Sequence, residues 1–150
     1  MIINEFKILF ERDFVKLFTE INSYSFSENL WRTDGTIINS AGNLCLHLLG
    51  NVQHYIGKEI GGFEYERNRE REFSAKGISK EDLLNEISFS KDIVSKSLEG
   101  MDDSLWPRMY PIEVFGKSMT YGYFLTHLYG HLNYHLGQIN YHRRILDAWF

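Results

Sequence analysis

Hydrophobic residues recur at intervals of three or four along four stretches of this chain, with polar residues between them. This period places apolar side chains on one face of an α-helix. The second stretch shows this period clearly, with Leu44, Leu48, Val52 and Ile56 at intervals of four.

Helix caps mark where the third and fourth stretches begin. Ser79 is a typical cap for the third stretch, and Ser118 or Thr120 is one for the fourth. We therefore predict four helices, which span residues 3–21, about 40–60, 80–100 and about 120–146.

The stretches between these helices lack a sustained apolar period. Residues 22–39 are rich in serine and predict a loop, and residues 63–77 form a charge-dense run that predicts a solvated crossover. Both prolines, Pro107 and Pro111, lie in residues 101–117, which predicts a loop or a short hairpin through residues 112–115. The pattern as a whole predicts an all-α protein, a four-helix bundle with long crossover connections, in a single domain over residues 1–150.

The composition of the chain argues against two classes of binding partner, nucleic acids and membranes. The chain has 150 residues with a hydrophobic fraction of 43% and a net charge of -4, which is typical of a soluble domain and argues against a nucleic-acid partner. No apolar run approaches the roughly 20 residues that span a bilayer, and the charged N-terminal residues do not resemble a signal peptide. We therefore expect no membrane partner and a cytoplasmic location.

Cys45 is the only cysteine in the sequence. We expect it to lie in the core. We also expect any metal site to use nitrogen and oxygen ligands, because one cysteine cannot form a cluster.

Histidines concentrate on one face of the fourth predicted helix. His127, His131, His135 and His142 follow at intervals of four, four and seven, which keeps their imidazoles within an arc of roughly 80°. Imidazole is the commonest protein ligand for transition metals, and histidines four residues apart on a helix can bind one ion. The pattern therefore predicts a metal site on this face.

The second predicted helix offers a further ligand, because His47 lies on a face that can point into the bundle. We predict that His47, His131 and His135 bind a divalent metal ion and leave a fourth position for water or substrate. Zinc, nickel, iron and manganese all accept such ligands. The remaining polar residues on these faces are predicted to orient the ligands, line a pocket or lie at the surface; they are His54, His127, His142, Asn51 and Gln138.

A helical zinc peptidase is a poor match to this pattern. Such enzymes carry a glutamate next to the first histidine of His-Glu-x-x-His, and here Leu132 follows His131. No acidic residue lies between His127 and His142. The sequence therefore identifies no catalytic residue on this helix.

Three stretches of the chain carry a resemblance to a known family. They are Asn-Leu-Cys-Leu-His-Leu-Leu-Gly at 43–50, the crossover from Arg67 to Leu83, and His-Leu-Tyr-Gly-His-Leu-Asn-Tyr-His-Leu-Gly-Gln at 127–138. These stretches resemble the DinB-like superfamily of metal-binding four-helix bundles, which is grouped with bacillithiol transferases and mycothiol-dependent isomerases. The third stretch is similar to the family's His-x-x-x-His-Arg-Gly-Gln signature, although Leu136 replaces its arginine. The resemblance implies a divalent metal at His47, His131 and His135 and a frequent homodimer.

Three hypotheses of function follow. In the first, the protein is a metal-dependent thiol transferase or hydrolase, in which the metal activates a small-molecule thiol or a water for attack on a small electrophile. In the second, it is a non-catalytic metal-binding or stress-associated homodimer. In the third, the histidines form a pH-responsive interface between helices without metal.

Overall fold

The computed structural model describes residues 1–148, and in this part of the chain the regular structure is helical. It contains five α-helices, one more than the apolar pattern predicts. They are α1 (Ile2–Asn22), α2 (Ala41–Val52), α3 (Arg69–Ser74), α4 (Lys80–Glu99) and α5 (Tyr121–Leu146). Short 3-10 turns at Ser27–Trp31 and Asp103–Leu105 interrupt the longer connections.

Polar side chains define where four of these helices begin. Each cap accepts a hydrogen bond from the backbone N–H three residues further on, which satisfies a donor that has no partner inside the helix. The caps are Ser40 for α2, Asn68 for α3, Ser79 for α4 and Thr120 for α5. Ser79 is therefore the cap that the sequence predicts, and Thr120 is the correct choice of the two predicted for α5.

The four longer helices share one core. α1 lies against α4 and α5, and α2 lies against the same two helices. The apolar face of each helix is buried in this core, including Phe10, Phe14, Leu48, Leu83 and Leu132, all with less than 1% of their surface exposed. Cys45 is fully buried as predicted, and burial raises the pKa of its thiol. The contacts of α2 with α5 place the two histidine-bearing helices side by side.

The second predicted helix consists of two segments of different geometry. After α2 the chain continues as a π-helix over Gln53–Lys58, which includes His54. A π-helical turn shifts the direction of every side chain that follows it, and such turns are frequent at functional sites. Gly57 lies in this turn, where a Cβ atom would come within 2.7 Å of the Ile93 side chain. The turn therefore brings the backbone of this segment close to α4.

The crossover at residues 63–77 differs from the solvated segment that its charges predict. It contains α3, which packs against α2, and Glu72 in this helix is only 3% exposed. The Asn43 side-chain amide in α2 donates to the backbone carbonyl oxygens of Glu72 and Ala75, at 3.0 and 2.8 Å. These bonds satisfy carbonyl groups at the end of α3 and attach the short helix to α2. A helix of this length is not stable on its own, so it depends on such contacts.

The connection between α4 and α5 contains a tight turn where the sequence predicts a loop or a hairpin. Val114 and Lys117 exchange backbone hydrogen bonds of 3.3 Å in both directions. Phe115 and Gly116 between them have φ of 58° and 70°, as a type I′ turn requires. Only isolated bridges form here, and the described residues include no strand. Among residues 1–148, every helix is too short or too polar to span a lipid bilayer.

Candidate metal centre

Helices α2 and α5 bring together three histidines, of which His47 is buried and the other two are partly exposed. His47 comes from α2, and His131 and His135 lie one turn apart on α5. One ring nitrogen from each of the three lies within 4.8 Å of the others. Nε2 of His47 and Nε2 of His131 are 3.1 Å apart. Within residues 1–148, these three side chains are the group whose geometry can hold a metal ion.

The spacing of these nitrogens fits a tetrahedral site. Zinc binds imidazole nitrogen at about 2.0–2.1 Å, so two ligands of one tetrahedral ion lie roughly 3.3 Å apart. The 3.1 Å separation of the His47 and His131 nitrogens is close to that value. Two lone pairs at this distance repel each other unless a proton or a cation lies between them. The separation of His47 and His131 therefore fits a divalent metal ion, and a ring nitrogen of His135 lies within 4.8 Å of both.

The environment of His131 and His135 favours neutral imidazole, which is the form that binds metals. Burial, reinforced by the neighbouring His135 and His47 rings, lowers the pKa of His131 to about 3. Burial also lowers the pKa of His135, and this effect outweighs the opposing hydrogen bond with Gln138. At neutral pH no proton has to leave either ring before a metal ion can bind.

Glu72 contacts the side of the His47 ring that faces away from the other histidines. Its Oε1 lies 3.1 Å from Nδ1 of His47. Arg67 donates to both carboxylate oxygens, from Nε to Oε2 at 2.9 Å and from Nη2 to Oε1 at 3.0 Å. Burial alone would raise the pKa of Glu72, but the hydrogen bonds from His47 and Arg67 and the charge of Arg67 hold this pKa below its usual value. Glu72 is therefore a buried carboxylate anion in contact with a candidate ligand.

Gly50 makes room for this carboxylate. A Cβ atom at position 50 would collide with Oε2 of Glu72 and lie 2.7 Å from its carboxyl carbon. Gly50 is three residues after His47, so both face α3 from the same side of α2. The approach of α3 to the histidines thus depends on the absence of a side chain at this position.

Gln138 orients a second candidate ligand. Its Oε1 lies 2.7 Å from Nδ1 of His135, so Nδ1 carries the proton and Nε2 keeps its lone pair. Asn51, which the sequence also offers as an orienting residue, is buried, and its Oδ1 has no hydrogen-bond partner among residues 1–148. Nδ1 of His131 likewise has none in the described chain.

The other three histidines lie outside the cluster. His142 is 3% exposed. Its Nδ1 accepts a hydrogen bond from the Tyr24 hydroxyl, and its Nε2 donates one to the backbone carbonyl of Arg32. Both ring nitrogens of His142 therefore already have partners.

His127 is exposed, and its ring stacks on Phe124. His54 packs against a tyrosine ring, and burial, followed by the charge of Arg67, lowers its pKa. The ladder of four histidines on α5 therefore contributes two residues to the candidate centre.

Sequence reasoning missed Glu72 and Arg67. Both belong to the charged run that predicts a solvated crossover, where acidic and basic residues alternate and no single position stands out. The available signal was the resemblance of this run to the crossover of a DinB-like branch, which marked the segment without assigning a role to any residue in it. The burial of Glu72 results from the packing of α3 on α2.

A cavity of about 290 Å³ lies one helical turn beyond the histidines. Leu44 from α2 and Gln138 from α5 form two of its walls, and Ile37, Ile38 and Ile145 make much of the remaining lining apolar. Leu44 precedes His47 by three residues and Gln138 follows His135 by three, so the cavity adjoins the same face of both helices. Its size suits a small organic molecule.

Comparisons of this chain with protein-family models, with curated proteins and with solved structures give no match. The candidate centre itself is therefore the observation from which a function can be inferred.

Proposed function

We propose that this chain binds a divalent metal ion through His47, His131 and His135 and acts with it on a small electrophilic molecule, as a metal-dependent thiol transferase or hydrolase. The observation that carries the proposal is the convergence of three imidazoles, with ligand atoms within 4.8 Å of one another, from two helices. When bound, such an ion supplies Lewis acidity that activates a thiol or a water for attack on an electrophile.

Other side chains of the protein orient two of these ligands and line the space beside them. Glu72 and Gln138 hold the rings of His47 and His135 through their Nδ1 atoms. The adjoining cavity provides an apolar wall next to Gln138, which suits the apolar part of a small electrophile. Three histidine ligands leave a coordination position free for a thiol or a water.

The metal content of untagged protein tests the binding step. Protein purified without a nickel column should contain about one divalent ion per chain, and elemental analysis will also identify it among zinc, nickel, iron and manganese. His131→Ala with His135→Ala should remove this ion. His127→Ala is the matched control, because it removes an exposed histidine from the same helix that lies outside the cluster. Metal retained by the double variant would contradict the proposal.

The reaction itself requires a screen of small thiols and electrophiles. Turnover should appear in the metal-loaded protein, should disappear in the double variant and should persist in His127→Ala. Undiminished turnover after loss of His131 and His135 would rule out the metal mechanism.

A non-catalytic metal-binding protein is the second candidate, and one observation favours it. The carboxylate that contacts the cluster, Glu72, is already engaged by Arg67 and His47 and is not free to act as a general base. Cobalt-loaded protein distinguishes the two functions. Addition of a small thiol should change the cobalt absorption spectrum if a coordination position is exchangeable, and should leave it unchanged if the site is closed.

We propose a DinB-like four-helix bundle of α1, α2, α4 and α5, with α3 in its crossover, located in the cytoplasm. A homodimer is supported by a groove between α1 and α5 that Val15 and Tyr141 line with 52% and 62% of their surfaces exposed. Light scattering coupled to size-exclusion chromatography should give twice the 17.7 kDa mass of the chain, and a monomer at high concentration would contradict this part.

A further inference from the structure

We infer that Glu72 is a positioning residue for the metal centre: with Arg67, it fixes the ring orientation and the tautomer of His47, so that the lone pair of Nε2 points at His131 and His135. This inference rests on the metal binding proposed above. It concerns side chains that belong to the charged crossover, outside the predicted ligand set.

The hydrogen-bond partners of Glu72 determine the tautomer. An ionised carboxylate only accepts hydrogen bonds, and it lies 3.1 Å from Nδ1 of His47. A lone pair on Nδ1 would repel this oxygen, whereas an Nδ1–H group donates to it in a charge-assisted bond. The proton of neutral His47 therefore lies on Nδ1, and Nε2, 3.1 Å from His131, carries the lone pair. A histidine that donates its distal N–H to a carboxylate is a stronger and better oriented metal ligand.

Arg67 keeps the Glu72 carboxylate ionised, which is the form that accepts a hydrogen bond from Nδ1 of His47. An unpaired carboxylate with a side chain only 4% exposed would be costly to ionise. The guanidinium of Arg67, whose side chain is 10% exposed, donates to both oxygens of Glu72 and balances the charge. Nη2 of Arg67 also contacts Nδ1 of His47, at 3.4 Å, but its shorter bond is the one to Oε1 of Glu72, at 3.0 Å. That oxygen lies closer to Nδ1 than the arginine does, at 3.1 Å. The arginine therefore acts on the ring mainly through Glu72.

A purely structural role is the alternative, in which the ion pair of Arg67 and Glu72 only attaches α3 to the rest of the fold. That role predicts a loss of stability when the pair is broken, with no effect on the tautomer of His47 or on metal affinity in protein that remains folded. The two roles therefore differ in measurable properties of the His47 ring.

Glu72→Gln separates these roles with minimal change in shape. Both oxygens of Glu72 accept hydrogen bonds, and the amide of glutamine offers one acceptor and one donor group. An NH2 group at the Oε2 position would oppose the Nε–H of Arg67. An NH2 group at the Oε1 position would oppose Nη2 of Arg67 and favour the lone pair on Nδ1 of His47 and the proton on Nε2. In this second arrangement the substitution directs the proton of His47 toward the ligand atom.

The matched control is Glu70→Gln, which makes the same charge change at an exposed position of the same short helix. Zinc affinity is measured by competition with a chromogenic chelator, after circular dichroism has shown that both variants are folded. Glu72→Gln should weaken zinc binding by roughly 10- to 100-fold, and Glu70→Gln should bind as the wild type does. The cobalt absorption spectrum of Glu72→Gln should also differ from that of the other two proteins.

Nitrogen-15 NMR of the histidine rings in the metal-free wild type gives a test that needs no variant to fold. Long-range proton–nitrogen correlations should show His47 protonated at Nδ1, and Glu72→Gln, where folded, should shift the population toward Nε2–H. Wild-type His47 protonated at Nε2 would overturn the inference.

The affinity measurements separate this inference from the proposed function. Zinc binding by the wild type together with unchanged affinity in Glu72→Gln would overturn the positioning role and leave the proposed function standing. A wild type that binds none of zinc, nickel, iron and manganese would overturn both.

Discussion

Oε1 of Glu72 lies 3.1 Å from Nδ1 of His47, although 25 residues separate them in the chain. The contact joins the short helix α3 to the helix that supplies a candidate metal ligand. It requires a glycine at position 50 and the bidentate ion pair with Arg67. The charged crossover is thereby part of the candidate centre.

Gly50→Ala should disturb this contact. The added methyl group would collide with the Glu72 carboxylate, so either this side chain or the whole of α3 must shift. We expect the free energy of unfolding to fall by about 1–3 kcal/mol and zinc affinity to decrease, as measured by urea denaturation and chelator competition. Gly130→Ala is the control, because a Cβ atom there meets nothing within 4 Å, and it should stabilise α5 by up to about 1 kcal/mol. Equal effects of the two substitutions would contradict the steric argument.

Arg67→Ala should destabilise the fold because it leaves the buried carboxylate of Glu72 without its cation. Loss of one partner from a buried ion pair costs on the order of 3 kcal/mol. The control is Arg69→Ala, which removes an exposed arginine from the same segment and should change stability by less than about 0.5 kcal/mol. Urea denaturation at pH 7 measures both variants. If Arg67→Ala and Arg69→Ala lose similar free energies of unfolding, the buried ion pair contributes no more to stability than an exposed arginine does.

The metal-free protein should lose stability in acid through His131. Its pKa is about 3 in the folded chain against an ordinary value of 6.5. Between these values the unfolded chain binds more protons, so the free energy of unfolding falls as the pH is lowered from about 6.5 toward about 3. His131→Gln removes this proton uptake and should give a shallower pH dependence in denaturation series with EDTA. Parallel curves for variant and wild type would refute the assignment to His131.

A second buried carboxylate, Asp13, should matter for stability without affecting the metal centre. It accepts hydrogen bonds from the Tyr129 hydroxyl at 2.5 Å, from Asn133 at 3.0 Å and from Arg12 at 2.8 Å. Burial opposes ionisation of Asp13, but these bonds outweigh it and lower its pKa to about 2. This network joins α1 to α5.

Asp13→Asn should therefore lower the free energy of unfolding by about 2 kcal/mol at pH 7, and zinc affinity should remain at the wild-type value. The exposed Asp92 provides the control, since Asp92→Asn makes the same change at the surface of α4. Thermal and urea denaturation of the two variants measure the difference. An Asp13→Asn protein as stable as Asp92→Asn would show that the network is energetically neutral.

The sequence by itself determined the local structure of this protein. The spacing of apolar residues located the four long helices to within a few residues, because a helical period is a property of neighbouring positions. Ser79 and Thr120 identified helix starts, since a cap acts on a backbone group only three residues away. The interval of four between His131 and His135 also placed both rings on one face of α5.

Only the tertiary structure decided which residues meet across helices. Whether His47 reaches His131, which stands 84 residues further along the chain, depends on how α2 packs on α5. The burial of Glu72 among equally charged neighbours depends on the docking of α3 and on the space at Gly50. Periodicity carries no information about such contacts, because a charged side chain becomes buried only when distant parts of the chain supply its partners and exclude water.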